Sequence, residues 1–527
     1  MSNMVAMLVP IFLAFLSCTS FLSSTLADSS YNVSGGTDWW CQKTPYPDDC
    51  RSSLGDLDPN PSVPKQKPEF RKMALQAAME RALQAESHTK WLGQICRNDR
   101  ERAAWVDCLK LYEDTILQLN RTLNPIANCT DSDTQTWLST ALTNLDTCKA
   151  GIVELGVSDV LLPLVSNNVS HLISNALAIN DIPSEQQNYT GGFPTWVSAA
   201  DRKLLQSSSL ASRANLVVAQ DGSGHFRTIK AAISAASKLR RGSRRFIIYV
   251  KAGVYRENIE IGNNMPNIML IGDGMRRTLI TGSRSVRKGY TTFNSATVAV
   301  SGERFVATGI TFRNTAGPLS QAVALVSGSD LSVFYRCGFI GYQDTLYVHS
   351  QRQFYKQCYI YGTIDFIFGN AAVVLQNCMI VARRPLHGQA NVITAQGRSD
   401  PHQNTGISIH KSRVIASSDL RPVLSSVKTF LGRPWQQYSR TVYLQTYLDG
   451  LVDPAGWLEW GGSFALNTLY YGEYKNIGPG SSTARRVKWR GYRVIRNPSE
   501  ASLFTVGNFI SGRSWLPGTG VPFTSGL

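Results

Sequence analysis

Residues 321–369 read QAVALVSGSDLSVFYRCGFIGYQDTLYVHSQRQFYKQCYIYGTIDFIFG. Short apolar runs end in Gly, Asn or Asp, and similar text returns after about twenty residues. Cys337, Cys358 and Cys378 stand 21 and 20 apart. Phe312, Tyr335, Tyr355 and Leu375 keep a similar beat. Gln321 leads to Gln343 in 22 residues, and Asp344 to Asp365 in 21. A solenoid with parallel strands, one rung per repeat and rungs roughly 4.8 Å apart, explains this period. It stacks the carboxylates of Asp344 and Asp365 on neighbouring coils, with two Gln amides nearby. An Asp beside Gly or Thr is commonly a turn residue. Asp365, however, is embedded in GTIDFIFG, where an uncompensated charge is costly. Two close carboxylates resist ionising together, so one is expected as nucleophile or base and the other as proton donor.

Working outward, the coils extend upstream through FIIYV, NIMLIG, TLITG, ATVAV and FVATGITF, and downstream through AAVVLQNCMIV, NVITAQG and TGISIHKSRVI. Val and Thr enrichment favours strands. A helix over Ile229–Leu239 is expected to cap the first coil. The GSG of Asp221-Gly222-Ser223-Gly224 lacks the βαβ setting or Walker lysine of a nucleotide site. Leu431-Gly432-Arg433-Pro434-Trp435 sets a guanidinium beside an aromatic, a pairing suited to a sugar carboxylate as well as to a surface ion pair and core packing.

The first half is different. LYEDTILQLNRTL puts Leu109, Tyr112, Ile116, Leu119 and Leu123 on one helical face. TWLSTALTNLDTC does the same with Leu138, Ala141, Leu142 and Leu145. With helical spans beginning near Phe70 and near Val160, this predicts an all-α four-helix bundle. Cys41 and Cys50 are placed to clip an N-terminal hairpin, and Cys108 and Cys148 to tie two helices. The expected organisation is a signal peptide over 1–27, the bundle over 28–182, a linker over 183–213 and the β solenoid over 214–527. The apolar run VAMLVPIFLAFL, followed by Thr25-Leu26-Ala27, suits secretory cleavage after Ala27, and no later segment is long and apolar enough to span a membrane. Secretion fits disulfide use. Sequons at Asn32, Asn120, Asn128, Asn168 and Asn188 all fall in the first half.

Charge divides the chain at the same place. Residues 1–205 carry 16 basic and 22 acidic side chains, and residues 206–527 carry 37 and 15. The halves, net −6 and +22, are expected to attract each other, and the second to attract polyanions. No nucleic-acid-binding motif is present, so an extracellular acidic polysaccharide is the expected partner. Arg202-Lys203-Leu204-Leu205 in the linker is a candidate site for a processing protease.

Together these stretches resemble the plant pectin methylesterases, with an attached inhibitor-like domain. The similarity rests on GVYREN from Gly253, QAVAL from Gln321, YQDTL from Tyr342, GTIDFIFGN from Gly362, LGRPW from Leu431, YSRTV from Tyr438, PAGWLEW from Pro454 and TLYYGEY from Thr468. TPYPDDC from Thr44 and TWLSTALTNLDTC from Thr136 carry the inhibitor-like part. The resemblance implies a right-handed parallel β-helix and a cell-wall enzyme that hydrolyses the methyl esters of homogalacturonan without metal or organic cofactor. It also implies roles: Asp365 nucleophile, Asp344 general acid and later base, Gln343 and Gln321 oxyanion donors, Arg433 orienting the nucleophile and substrate, and Trp435 and Thr291 substrate contacts. His402 stands where Asn is common. Arg202–Leu205 resembles the family's processing motif. Substrate, the chain's own N-terminal domain and free inhibitor proteins are the expected partners. A Cys337–Cys358 disulfide is preferred over Cys358–Cys378 on this resemblance, with Cys96, Cys129 and Cys378 left unassigned. A pectin-active lyase or glycosidase, a silent pectin-binding protein and a precursor acting chiefly as inhibitor are the competing readings. Methanol release separates the first two from an esterase.

Overall fold

The computed structural model describes residues 37–57, 67–125, 129–161, 164, 166–181, 210–242 and 244–527. The signal segment, the sequons at Asn32, Asn128 and Asn188, and the Arg202–Leu205 motif lie outside the described residues. Helices α1 (Thr37–Cys41), α2 (Pro47–Leu57), α3 (Lys67–Leu92), α4 (Asp99–Leu123), α5 (Asp131–Glu154), α6 (Ser158–Leu161) and α7 (Val169–Asn180) form the N-terminal unit. Its core joins Leu75, Ala78 and Ala82 of α3, Leu111, Tyr112 and Leu119 of α4, Leu138, Ala141 and Leu142 of α5, and Leu172, Ile173 and Leu177 of α7. Helix α5 starts on a reciprocal cap: the Asp133 amide donates to the Thr130 hydroxyl, and the Thr130 amide to the Asp133 carboxylate. The fourth long helix begins at Val169, not near Val160, where α6 makes a single turn. Asn167 Oδ1 accepts from the Val169 amide at 3.1 Å and helps start α7 there. Disulfides Cys41–Cys50 and Cys108–Cys148, with Cα separations of 5.6 and 4.7 Å, tie α1 to α2 and α4 to α5. Asn120 is exposed. The Asn168 amide is engaged by Arg81 and Asp49.

From Leu216 onward the chain winds a right-handed parallel β-helix. Among the described residues its strands make three sheets of eleven, eight and seven members. One coil runs Leu325–Ser327 in the seven-stranded sheet, Ser332–Tyr335 in the eleven-stranded sheet and Gly338–Ile340 in the eight-stranded sheet. The next begins at Leu346–Val348. Leu325, Leu346 and Ile367 stack in register, each buried. The corner after the eleven-stranded sheet is turned by one left-handed residue per coil: Arg336, Gln357, Asn377, Lys411, Gln445 and Lys475, with φ from +45° to +54°. Polar side chains at that corner avoid burial, and the turn recurs because each coil must reverse in one residue.

The aromatic beat departs from the sequence reading: Phe312 belongs to the eight-stranded sheet, paired with Phe339, and Tyr335 is one residue out of register with Tyr355. Tyr355 pairs with Phe334 and Leu375, its ring 4.7 Å from that of Phe334, whereas Tyr335 pairs with Lys356. Inside a coil successive side chains alternate faces, so a slip of one residue exchanges core for outer face. The expected Cys337–Cys358 disulfide is not formed. Cys337, Cys358 and Cys378 are buried thiols, each facing a backbone carbonyl two residues earlier. In-register side chains of parallel rungs point the same way and keep Cβ atoms a rung, about 4.8 Å, apart, beyond the roughly 3.5–4.5 Å a bridge needs.

The N-terminal end is closed by α8 (Ile229–Leu239), which buries Ile229, Ala232, Ile233 and Ala236 and is capped by Thr228. In the Asp221-Gly222-Ser223 turn the Ser223 amide donates to Asp221 at 2.8 Å, and Lys251 donates to the Ser223 hydroxyl at 2.8 Å. Val506, Ile510, Trp515 and Leu516 from the C-terminal helices cover the outer face of the eleven-stranded sheet around Val333, Phe354 and Val374. The outer face of the seven-stranded sheet is covered by the helical bundle.

Candidate active site

The seven-stranded sheet builds the floor of the site. Val326, Tyr347, Phe368, Ala395 and Arg433 follow one another in register across five strands. Tyr347 stacks on Phe368 at 4.2 Å, and Trp435 meets Phe368 edge-on at 5.9 Å. Gly397 beside Trp435 has no room for a side chain: an added Cβ would lie 2.7 Å from the indole. Asp344 and Asp365 each sit two residues before a strand of this sheet, at the corner of successive coils. Both are left-handed, with φ of +62° and +49°. Non-glycine residues seldom hold this conformation, and their surroundings fix it here. The Asp344 amide donates to the carbonyl of Ile364 at 3.0 Å, which locks the two corners together.

The two carboxyls differ in their partners. Arg433 grips Asp365 with both arms of its guanidinium, Nε to Oδ1 at 2.9 Å and Nη2 to Oδ2 at 2.6 Å. The other side of the guanidinium lies 4.3 Å from the ring of Trp460. Burial raises the Asp365 pKa, and the hydrogen bonds and charge of Arg433 oppose the rise. Asp344 has no such fork. Burial first, then the charges of Asp365 and Glu154, push its carboxyl well above the usual carboxylate range, with Arg433 opposing. The arrangement therefore separates an arginine-bound carboxylate from a protonated neighbour. Gln321 and Gln343 lie on adjacent coils. The Ala322 amide donates to the Gln343 carbonyl at 3.3 Å. Both side chains are half-buried.

Helices α4 and α5 lie over this floor. Thr291, a candidate substrate contact, is buried and donates to Asp107 of α4. Thr292 gives its amide to Glu154 of α5 at 2.7 Å, and its hydroxyl to the same carboxylate. Further along α5, Thr147 meets His349 Nε2 at 2.9 Å, Thr143 accepts from Asn370 at 2.8 Å, Asp146 accepts from Ser399 at 2.6 Å, and Thr136 accepts from Asn404 at 2.9 Å. Burial lowers the His349 pKa to about 3, which keeps that ring neutral. Arg352 binds Asp330 through two donors and reaches Asp133 at the start of α5 at 2.7 Å. His402 meets Asp181 just beyond α7 at 2.8 Å. In the intact chain Asp344 and Asp365 are 8 % and 5 % exposed.

Asp344, Asp365, Arg433 and Trp435 thus converge on one floor, and Thr291 stands at its bundle-covered wall. Sequence reasoning missed Tyr347 and Phe368, whereas Trp460, within PAGWLEW, is one of the tail tryptophans expected to supply capping or groove wall. The 21-residue step from Tyr347 to Phe368 was available as a signal. Among the described residues no cluster of three or more His, Cys, Asp or Glu is placed to hold a metal ion.

Residues 215–513 match the family described as Pectinesterase, and residues 37–179 the one described as Plant invertase/pectin methylesterase inhibitor. Over 489 residues the chain is 63% identical to Pectinesterase 2 of Citrus sinensis, covering 93% of this chain and 94% of that one. It is 61% identical over 493 residues to the probable pectinesterase/pectinesterase inhibitor 17 of Arabidopsis thaliana, covering 93% and 94%. The solved pectin methylesterase from carrot is 57% identical, with a TM-score of 0.58, and covers 60% of this chain and 98% of its own. Corner carboxylates on successive coils, the arginine fork and a sequence match along both halves lead to one assignment: the chain belongs to the pectinesterase family and carries an N-terminal domain of the inhibitor family.

Proposed function

We propose that this pectinesterase hydrolyses methyl-esterified homogalacturonan through a covalent aspartyl intermediate, with Asp365 as nucleophile and Asp344 as proton carrier. The observation that carries the reading is the asymmetry of the pair: Arg433 forks onto Asp365 alone. An Asp365 oxygen attacks the ester carbonyl, and the carbonyl π electrons move to its oxygen. Gln321 and Gln343 donate to that oxyanion. One such donor is commonly worth about 3 kcal/mol at the transition state. Collapse breaks the bond to the methoxy oxygen, which takes the Asp344 proton and leaves as methanol. The mixed anhydride then meets water. Asp344, now ionised, takes one water proton as the oxygen attacks the acyl carbon, and collapse returns the Asp365 carboxylate, a free sugar acid and a protonated Asp344. Arg433 keeps Asp365 ionised and aimed, and Trp435 with Tyr347 and Phe368 offers apolar faces to the sugar rings. The test is methanol release from methylated pectin by residues 210–527 carrying Asp365→Asn. Loss of turnover with the fold retained is expected, and near-wild-type turnover would remove the assignment.

The bundle, in the same reading, is an autoinhibitor. Its support is the hydrogen-bonded contact of α4 and α5 along Thr291, Thr292, His349, Asn370 and Ser399. Tethering raises the local concentration of the bundle at the groove. Cleavage at Arg202–Leu205 by a processing protease would turn this into a separable contact. The exposed groove would also be the surface for free inhibitor proteins. Secretion to the cell wall, with removal of residues 1–27, completes the proposal.

A further inference from the structure

Arg383 lies one residue beyond the strand Met379–Ala382, outside the groove residues named above. Its guanidinium donates through Nη1 to the carbonyl of Gly341 at 2.8 Å, and through Nη2 to the Tyr342 hydroxyl at 2.8 Å. The same guanidinium lies 3.8 Å from the centroid of the Tyr342 ring. Gly341 and Tyr342 are the two residues before Gln343 and Asp344. The Arg383 amide donates to the carbonyl of Gly362 at 2.8 Å, three residues before Asp365. Asn391 in turn donates to the Arg383 carbonyl at 3.0 Å. One residue on a third coil therefore touches both corner segments that carry the acidic pair.

The Tyr342 carbonyl completes the connection. It accepts from the Thr363 amide at 2.9 Å and from the Thr345 hydroxyl at 3.1 Å. Thr345 also donates to the Tyr361 carbonyl at 2.9 Å. Asp344 is thus held between an anchored Tyr342 and an anchored Thr345, with a backbone conformation that needs outside support. The Arg383 side chain is 21% exposed, and its nearest carboxylate, Asp419, is 4.0 Å from Nε. A guanidinium on a loose ion pair but with two well-made hydrogen bonds and a stacked ring serves geometry more than charge.

We propose that Arg383 is a positioning residue for the esterase reaction, clamping the Gly341–Tyr342 segment so that Gln343 and Asp344 face the carbonyl held by Asp365. The inference rests on the roles given above to Asp344 and Asp365. A displacement near 1 Å at a reacting group commonly costs about 100-fold in rate, and substrate binding along the aromatic floor does not depend on this corner.

The experiment uses residues 210–527 alongside the intact chain, since 60% of this chain, about the length of that segment, covers 98% of the solved carrot chain. Arg383→Ala is expected to lower kcat by roughly 10- to 100-fold with KM within about threefold, an unshifted pH profile and partial recovery on adding guanidinium chloride at millimolar concentration. Tyr342→Phe keeps the stacked ring and loses one hydrogen bond, so its fall is expected to be smaller. Combined with Arg383→Ala it is expected to add nothing. Where Arg383→Ala does not fold, Arg383→Lys, which keeps the charge and loses the fork, is expected to show the same kcat fall. A folded Arg383 variant with wild-type kcat, or one in which KM alone rises, would overturn the clamp. Retained turnover in Asp365→Asn, measured in parallel, would overturn the underlying assignment instead.

Discussion

Asp107 of α4 accepts the hydroxyl proton of Thr291 on the groove wall, and burial, opposed by that bond, raises its pKa to about 7. Asp146 of α5, at Ser399, is raised by burial to about 6. Asp114 and Glu154 are shifted upward by burial as well. For Asp107, Asp146 and Glu154, whose partners Thr291, Ser399 and Thr292 belong to the groove, the shift bears on docking. A carboxyl with a higher pKa docked than released binds a proton on docking. Its contribution is complete below the ordinary carboxylate range and is lost as pH rises through the docked value. The window set by Asp107 and Asp146 therefore runs from about 4 to about 7, with a slope near 1.4 kcal/mol per pH unit for each group between its two values. The intact chain is expected to be more strongly inhibited near pH 5 than near pH 7, judged by the ratio of its methanol release to that of residues 210–527 at each pH. Asp107→Asn is expected to flatten that ratio. A ratio independent of pH in the wild type would contradict the linkage.

Arg433→Lys retains a cation but loses the two-armed contact with Asp365. A fall in kcat of about 100-fold is expected, since lysine cannot reproduce the fork. Arginine and lysine both stay charged through the range in which the carboxyl pair titrates, so the loss is expected at every pH where the enzyme is active. Steady-state kinetics on residues 210–527 checks it. An unchanged kcat would mean that the fork is structural.

Gly151 of α5 faces Thr291 so closely that an added Cβ would lie 3.2 Å from its Cγ2. Gly151→Leu is expected to wedge α5 away from the groove and raise the activity of the intact chain. Circular dichroism would show whether the bundle still folds. A folded variant that stays as latent as the wild type would argue against α5 as the covering element.

The thiols make a separate prediction. Non-reducing peptide mapping is expected to recover Cys337, Cys358 and Cys378 as free thiols and to find Cys41–Cys50 and Cys108–Cys148 as bridges. Replacing Cys108 and Cys148 together by Ser is expected to destabilise the bundle by about 2–4 kcal/mol, read from denaturant unfolding. A recovered Cys337–Cys358 peptide would contradict the in-register geometry.

The repeat was legible because a coil of fixed length imposes its period on any residue that must recur, and the Asp344-to-Asp365 step reports this directly. Phase was less legible. Tyr335 and Phe334 are equally aromatic, and only the left-handed corner at Arg336 decides which of them faces inward. The stacked cysteines misled for a related reason: sequence gives the spacing of rungs but not the common direction of their side chains. Thr136, Thr143 and Thr147 lie outside the apolar set Leu138, Ala141, Leu142 and Leu145 of α5. The threonines are buried, because a polar groove needs a polar cover. Arg383 carried no periodic signal, since it acts across coils on backbone atoms.

The most direct measurement is methanol release from highly methylated pectin at pH 5 by equimolar intact chain and residues 210–527, both verified as folded. A rate at least about tenfold higher for residues 210–527, corresponding to roughly 1.4 kcal/mol of occlusion, is the predicted result. Equal rates would contradict the covering role, and no methanol from residues 210–527 would contradict the site itself.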